Sequence, residues 1–179
     1  ALRIGEMRPE HFATLNARLL TEPTGEFAIE RALRIYPTTK QVDEHNQAVL
    51  QHFRDQRNEM FVIRAQDKLV DATRDLGNNS IDSIIPPDID KTGGFPRELE
   101  IFVGAKVMLR TNIDVRQGLV NGAIGFIEEI IWPNFRRAQM YAQDIPKVKV
   151  NFGRDGIHII EPRTVQFPAK SGYGTAERR

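Results

Sequence analysis

The sequence predicts an α/β unit followed by an all-β part that closes into a small barrel. Three observations carry this. A short apolar run at residues 32–36, a stretch with helical spacing of apolar residues, and a second apolar run at 60–65 follow one another in βαβ order. After Glu100 the texture changes to short β-branched runs. Turn residues, Asp155-Gly156 above all, separate those runs as tight barrel connections require.

Composition bounds what such a chain can be. Its 179 residues are 40% hydrophobic and 27% charged, the balance of a globular chain. Lys and Arg number 25 against 24 Asp and Glu, a net charge of +1. Affinity for nucleic acid must therefore come from local basic clusters, and a polybasic binder is excluded. The lack of cysteine excludes disulfide frameworks, thiolate nucleophiles and cysteine metal sites, and suits a reducing compartment. No apolar run is long enough to span a bilayer. The opening Ala1-Leu2-Arg3-Ile4-Gly5-Glu6 lacks the basic-then-apolar plan of a signal peptide, and the sequence reads as a piece of a longer chain.

Taken in order, Pro9 and Glu10 suit a first helical turn, and Phe12, Leu15 and Leu19 continue it as a short amphipathic helix. Pro23 and Gly25 make the next stretch a loop. Residues 32–36 form a strand candidate closed by Pro37. Over residues 41–57, Val42, His45, Val49, His52 and Phe53 share one helical face. If residues 60–65 pair in parallel with 32–36, the helix between them is a right-handed crossover. Residues 66–98 lose periodicity and collect Asn78-Asn79-Ser80, Pro86-Pro87 and Gly93-Gly94, the marks of a surface excursion or linker. The β-rich part then supplies strands at 106–110, 123–130, 147–152, 157–160 and 164–167, with Gly153-Arg154-Asp155-Gly156 as a hairpin turn.

Absences narrow the chemistry. There is no Gly-x-x-x-x-Gly-Lys-Ser/Thr phosphate loop, only fragments at Asp90-Lys91-Thr92 and Gly104-Ala105-Lys106. Asp43-Glu44 lies on the polar face of the expected helix rather than at a strand end, where a magnesium-binding pair would sit. His11, His45, His52 and His158 are too dispersed to share a metal.

Two elements have binding potential. In Tyr36-Pro37-Thr38-Thr39-Lys40, hydroxyls, a lysine and free N–H groups meet at a helix start. That combination suits one phosphate, and it equally suits plain N-capping by Thr38 or Thr39. The second element is a strand at 106–110, a polar connection with Arg110, Asn112 and Arg116, and a turn through Asn121, Gly122 and Gly125 that would hold barrel register.

Residues 32–46, 103–125 and 172–179 together resemble the petite-integration-frequency DNA helicase family, in particular its animal and Helitron-borne members. The likeness covers most of the chain and weakens between about residues 66 and 95. It implies a superfamily-one, ATP-driven helicase moving five-prime to three-prime on single-stranded DNA. Such enzymes have two RecA-like motor domains of the P-loop NTPase type, with a small Src-homology-3-like β-barrel inserted in the second. On the resemblance, residues 1–31 lead in from the first motor domain, 32–65 open the second, 66–98 are the excursion, and 99–179 are a return strand and the barrel. Thr38, Thr39 and Lys40 would fall in the family's fourth motif and hold backbone phosphate, with Arg110, Asn112 and Arg116 near the barrel entrance. Thr39 stands where the family form has asparagine, a hydroxyl in place of an amide. ATP and Mg2+ would be held by motifs of the parent outside this sequence, so the piece alone is expected to be inactive. The implied partners are single-stranded DNA and the remaining motor domain, and the implied location is nuclear. Rival readings are a non-catalytic barrel that binds single strands, against which the 8% aromatic content argues, and a protein-interaction barrel.

Overall fold

The computed structural model describes residues 2–22, 24–29, 31–72, 76–77, 80–133 and 144–179; Pro23 and Asn78-Asn79, which the sequence assigns to loops, lie outside them. Two units divide the chain, Ala1–Arg57 and Asn58–Arg179.

The first unit is helical. Helix α1 spans Pro9–Asn16 with Pro9 in its first turn, and the Arg8 backbone N–H donates to His11 Nδ1 at 3.0 Å. It stops short of Leu19 and Leu20, because exposed Phe12 and Leu15 give it no packing partner to prolong a marginal helix. Helix α2 spans Thr39–Asp55 and starts earlier than its apolar periodicity indicates, because Thr38 caps it. Its His45, Val49, His52 and Phe53 are half-buried, as the spacing requires.

Residues 32–36 carry no strand, which corrects the βαβ expectation. A strand exists only as one half of a hydrogen-bonded pair, and here Leu33 and Ile35 are 67% and 93% exposed. The run at 60–65 does form a strand, β1 (Phe61–Arg64), but its partner is β3 (Glu98–Ile101), antiparallel, with Phe61 opposite Ile101 and Arg64 opposite Glu98. The Arg64 Nε–Glu98 Oε1 contact of 3.1 Å closes that end of the register.

Nor are residues 66–98 a featureless linker. They contain β2 (Asp67–Ala72), the single-turn helix α3 (Ile81–Ile84) and a 3-10 turn at Ile89–Thr92. Ile84, Ile85 and Thr92 are buried, and the Thr92 hydroxyl is shared between the Ile89 and Phe95 carbonyls, each at 3.0 Å. Strand β9 (Gly174–Arg178) pairs antiparallel with β2 on one side and with β8 (Val165–Pro168) on the other. Ile85, Phe167 and Ala176 form a small core there, with Leu69, Ile81, Val165 and Ala169 packed on it. Strand β8 was expected among the barrel strands. It joins this sheet instead, where Phe167 can be buried and Gln166 donates to Glu177 Oε2 at 3.1 Å.

The remaining β-rich part is an antiparallel four-stranded sheet in the order β4 (Lys106–Met108), β5 (Ile124–Ile131), β6 (Lys147–Asn151), β7 (Ile157–Ile160). One face buries Ile127 and Val150, while the other exposes Met108, Phe126, Ile157 and Ile159. Gly153 and Gly156, at φ 67° and 91°, make the β6–β7 hairpin turn that the sequence marks. Gly125 is not a turn residue. It lies within β5, where a Cβ would meet Val150 Cγ1 at 2.6 Å and the Asn151 carbonyl at 2.8 Å, so close strand approach explains it.

Candidate nucleic-acid interface

The first candidate lies in the helical unit. Pro37 ends the irregular run, and Thr38, with extended backbone at φ −134°, supplies the N-cap of α2. Its Oγ1 accepts from the Gln41 backbone N–H at 3.3 Å and donates to Gln41 Oε1 at 2.9 Å. Of the two roles open to the threonines, Thr38 thus performs the capping one. Thr39 and Lys40 are exposed in the first turn, where backbone N–H groups have no intrahelical acceptor. Lys40 Nζ stands 3.8 Å from Glu44 Oε1, an exposed pair worth a few tenths of a kcal/mol at most. Behind this turn the Tyr36 and His45 rings lie 5.3 Å apart. Partial burial first, and the nearby Arg34 guanidinium second, hold the His45 imidazole below its ordinary pKa, so it is biased toward the neutral form.

The second candidate lies in the β-rich unit. The connection leaving β4 folds back through a 3-10 turn at Val115–Gln117, which Asp114 caps by accepting from the Arg116 backbone N–H at 2.9 Å. Asn112 Oδ1 accepts from the Asn121 backbone N–H at 2.8 Å, tying the connection to the turn before β5. Arg110 and Arg116 are exposed, and neither makes an ion pair among the described residues. The six sequence-indicated residues therefore fall in two places, Thr38, Thr39 and Lys40 in one unit and Arg110, Asn112 and Arg116 in the other.

Sequence reasoning missed two arginines. Arg163 reaches back to the connection, its Nη1 3.5 Å from Thr111 Oγ1, although 52 residues separate them. Arg178 is buried and bidentate on Asp67, with Nε–Oδ1 and Nη2–Oδ2 both 2.8 Å, while its Nη1 donates to the Phe95 carbonyl at 2.9 Å. Pairs so distant in sequence leave no periodic signal.

The residues present do not fit ATP or Mg2+. The sequence has no phosphate loop, and among the described residues no three His, Asp or Glu side chains gather where they could hold a metal ion.

Comparison with known proteins bears on this second place. A family profile described as DNA helicase Pif1, 2B domain, matches residues 88–130, which contain the whole connection with Arg110, Asn112 and Arg116. The ATP-dependent DNA helicase PIF1 of Danio rerio is 32% identical over 91 residues, 51% of this chain. Over these stretches the chain is similar to Pif1-type helicases. It spans 13% of the length of the zebrafish protein. The crystal structure of Pif1 helicase from Candida albicans is similar over 84% of this chain and 35% of its own length, at 20% identity; its TM-score of 0.48 is too low to fix the fold.

Proposed function

We propose that this Pif1-type segment grips single-stranded DNA by its phosphate backbone within an ATP-dependent helicase that moves five-prime to three-prime. The observation that carries the reading is the 2B-domain match over residues 88–130, within which Arg110 and Arg116 are exposed and have no carboxylate partner among the described residues. In this reading the helical unit opens the second RecA-like motor domain and the four-stranded sheet belongs to an inserted Src-homology-3-like barrel. Lys40 and Thr39 contact phosphate from the first turn of α2, with the Thr38 cap fixing the backbone that presents them. Arg110 and Arg116 contact phosphate from the connection, and Asn112 holds that connection in place. Contacts of this kind are indifferent to base sequence, as a translocating motor requires. ATP and Mg2+ belong to the parent's other motifs, the remaining motor domain is the partner, and the resemblance puts the parent in the nucleus.

The test is made in the intact parent. Lys40→Ala and Arg110→Ala should each weaken single-stranded DNA binding equally for every base sequence, and each should shrink the slope of log affinity against log salt by roughly 0.7. Unchanged slopes in correctly folded variants would remove these residues from the DNA path. One observation favours a second reading, a non-motor binding barrel: Met108, Phe126, Ile157 and Ile159 stand exposed together on one sheet face, and Lys106 Nζ lies 5.4 Å from the Phe126 ring centroid. A parent sequence without a phosphate loop would decide for it.

A further inference from the structure

From Arg110 lying on the Gly93-Gly94 turn and Arg163 reaching the neighbouring Thr111, we infer that Arg163 and Arg110 form a phosphate cradle that includes the Thr111 hydroxyl. The inference rests on the backbone-grip reading and adds to it a residue from the far end of the β-rich unit. The Arg110 guanidinium lies against the Gly93-Gly94 turn, its Cζ 4.0 Å from where a Cβ on Gly94 would sit. Arg163 approaches the same place from the strand side. Its Nη1 is 3.5 Å from Thr111 Oγ1, and Val165, two residues on, packs so closely on Gly93 that a Cβ there would lie 2.4 Å from Val165 Cγ2. The bare Gly93-Gly94 backbone thus lets the 110–112 connection and the start of β8 come together.

Two carboxylates of this part of the unit already have partners. Glu161 is held by Lys147 at 2.7 Å, and Asp114 by the Arg116 backbone N–H at 2.9 Å. Asp90 lines a cavity on the Gly93 side of the turn with Lys91, Gln166 and Pro168. Among the described residues neither Arg110 nor Arg163 pairs with a carboxylate, and both are exposed. Two guanidinium forks without a carboxylate partner among the described residues, beside a hydroxyl, supply the charge and the donors that a phosphodiester needs, which arginine can take bidentately.

The experiment uses the full 179-residue chain, with an oligo(dT) strand and inorganic phosphate as separate probes. Arg110→Gln and Arg163→Gln should each weaken oligo(dT) binding about 5-fold at 0.1 M salt and reduce the salt slope by roughly 0.7, as one lost single-strand contact does. Arg163→Lys should restore charge and slope but not full affinity, since it lacks the fork. Folding is checked by the backbone amide spectrum; Arg163→Gln removes only the long contact to Thr111. If oligo(dT) binds and Lys40→Ala weakens it while both arginine variants match wild type, the cradle is wrong, Arg110 leaves the DNA path, and the grip reading stands on Lys40 alone. If oligo(dT) does not bind, yet inorganic phosphate shifts the Arg110 and Arg163 Nε–H resonances together, the cradle stands as an anion site and the grip reading fails. Silence to both probes overturns both.

Discussion

Cutting the Asp67 carboxylate away from Arg178 should be costly, and the structure sets the scale. The two side chains are 7% and 4% exposed, and the pair is bidentate with both N–O distances at 2.8 Å. In Asp67→Ala the guanidinium stays buried with the Phe95 carbonyl as its one remaining acceptor among the described residues. Breaking a buried pair from one side costs about 3–5 kcal/mol, far more than the 1 kcal/mol or less of an exposed pair. Against a total stability of about 5–15 kcal/mol, that is a large fraction. It corresponds to a fall in melting temperature of roughly 6–20 °C at about 2–4 °C per kcal/mol. Replacing both partners, Asp67→Leu with Arg178→Met, should recover most of the loss, since the Phe95 carbonyl keeps the Thr92 hydroxyl as a donor at 3.0 Å. Urea unfolding followed by circular dichroism measures this, with an unchanged m-value showing that the same surface is exposed. A cost under about 1 kcal/mol for Asp67→Ala would show that the pair is solvated and that the joint between β2 and β9 does not depend on it.

Other substitutions probe other joints. Gly125→Ala forces a methyl onto Val150 and the Asn151 carbonyl and should cost about 1–3 kcal/mol in urea unfolding; a neutral result would mean that β5 and β6 are further apart than described. Thr38→Ala should lower helix stability by about 1 kcal/mol by circular dichroism, whereas Lys40→Ala should change it by a few tenths at most. His45 should titrate below the usual value near 6.5 in a proton NMR titration, and Arg34→Gln should raise it only part of the way, since burial is the larger cause. Because the unfolded chain then takes up the proton first, stability is full above about pH 6.5 and declines as pH falls toward the lower folded value; a wild-type His45 at or above 6.5 would refute this.

Much of the β-rich part was legible because its signals are local. β4 to β7 follow from β-branched runs and from the Gly153 and Gly156 turn, whose positive φ only a few residues accept. Helix α2 follows from its period, and only its Thr38 cap moved the boundary. What failed was pairing. The run at 32–36 looked like a strand, but hydrophobicity does not say with what a strand pairs, and β1 found β3 rather than a parallel neighbour. Segment 66–98 looked featureless because Lys68 and Asp71 interrupt β2, whose partner β9 lies at the other end of the unit. At the candidate sites, residue types were readable and their tasks were not: Asn112 and Thr38 turn out to hold backbone, and Arg163 enters only through a contact spanning 52 residues.

The central claim, a sequence-indifferent grip on the phosphate backbone, is tested most directly by measuring the affinity of this chain for oligo(dT), oligo(dA) and oligo(dC) across a salt series. The account gives similar affinities for all three, and parallel log–log lines whose slope is about −0.7 for each phosphate held. Lines that are flat in salt, or affinities that differ more than about tenfold between bases at one salt concentration, would contradict it.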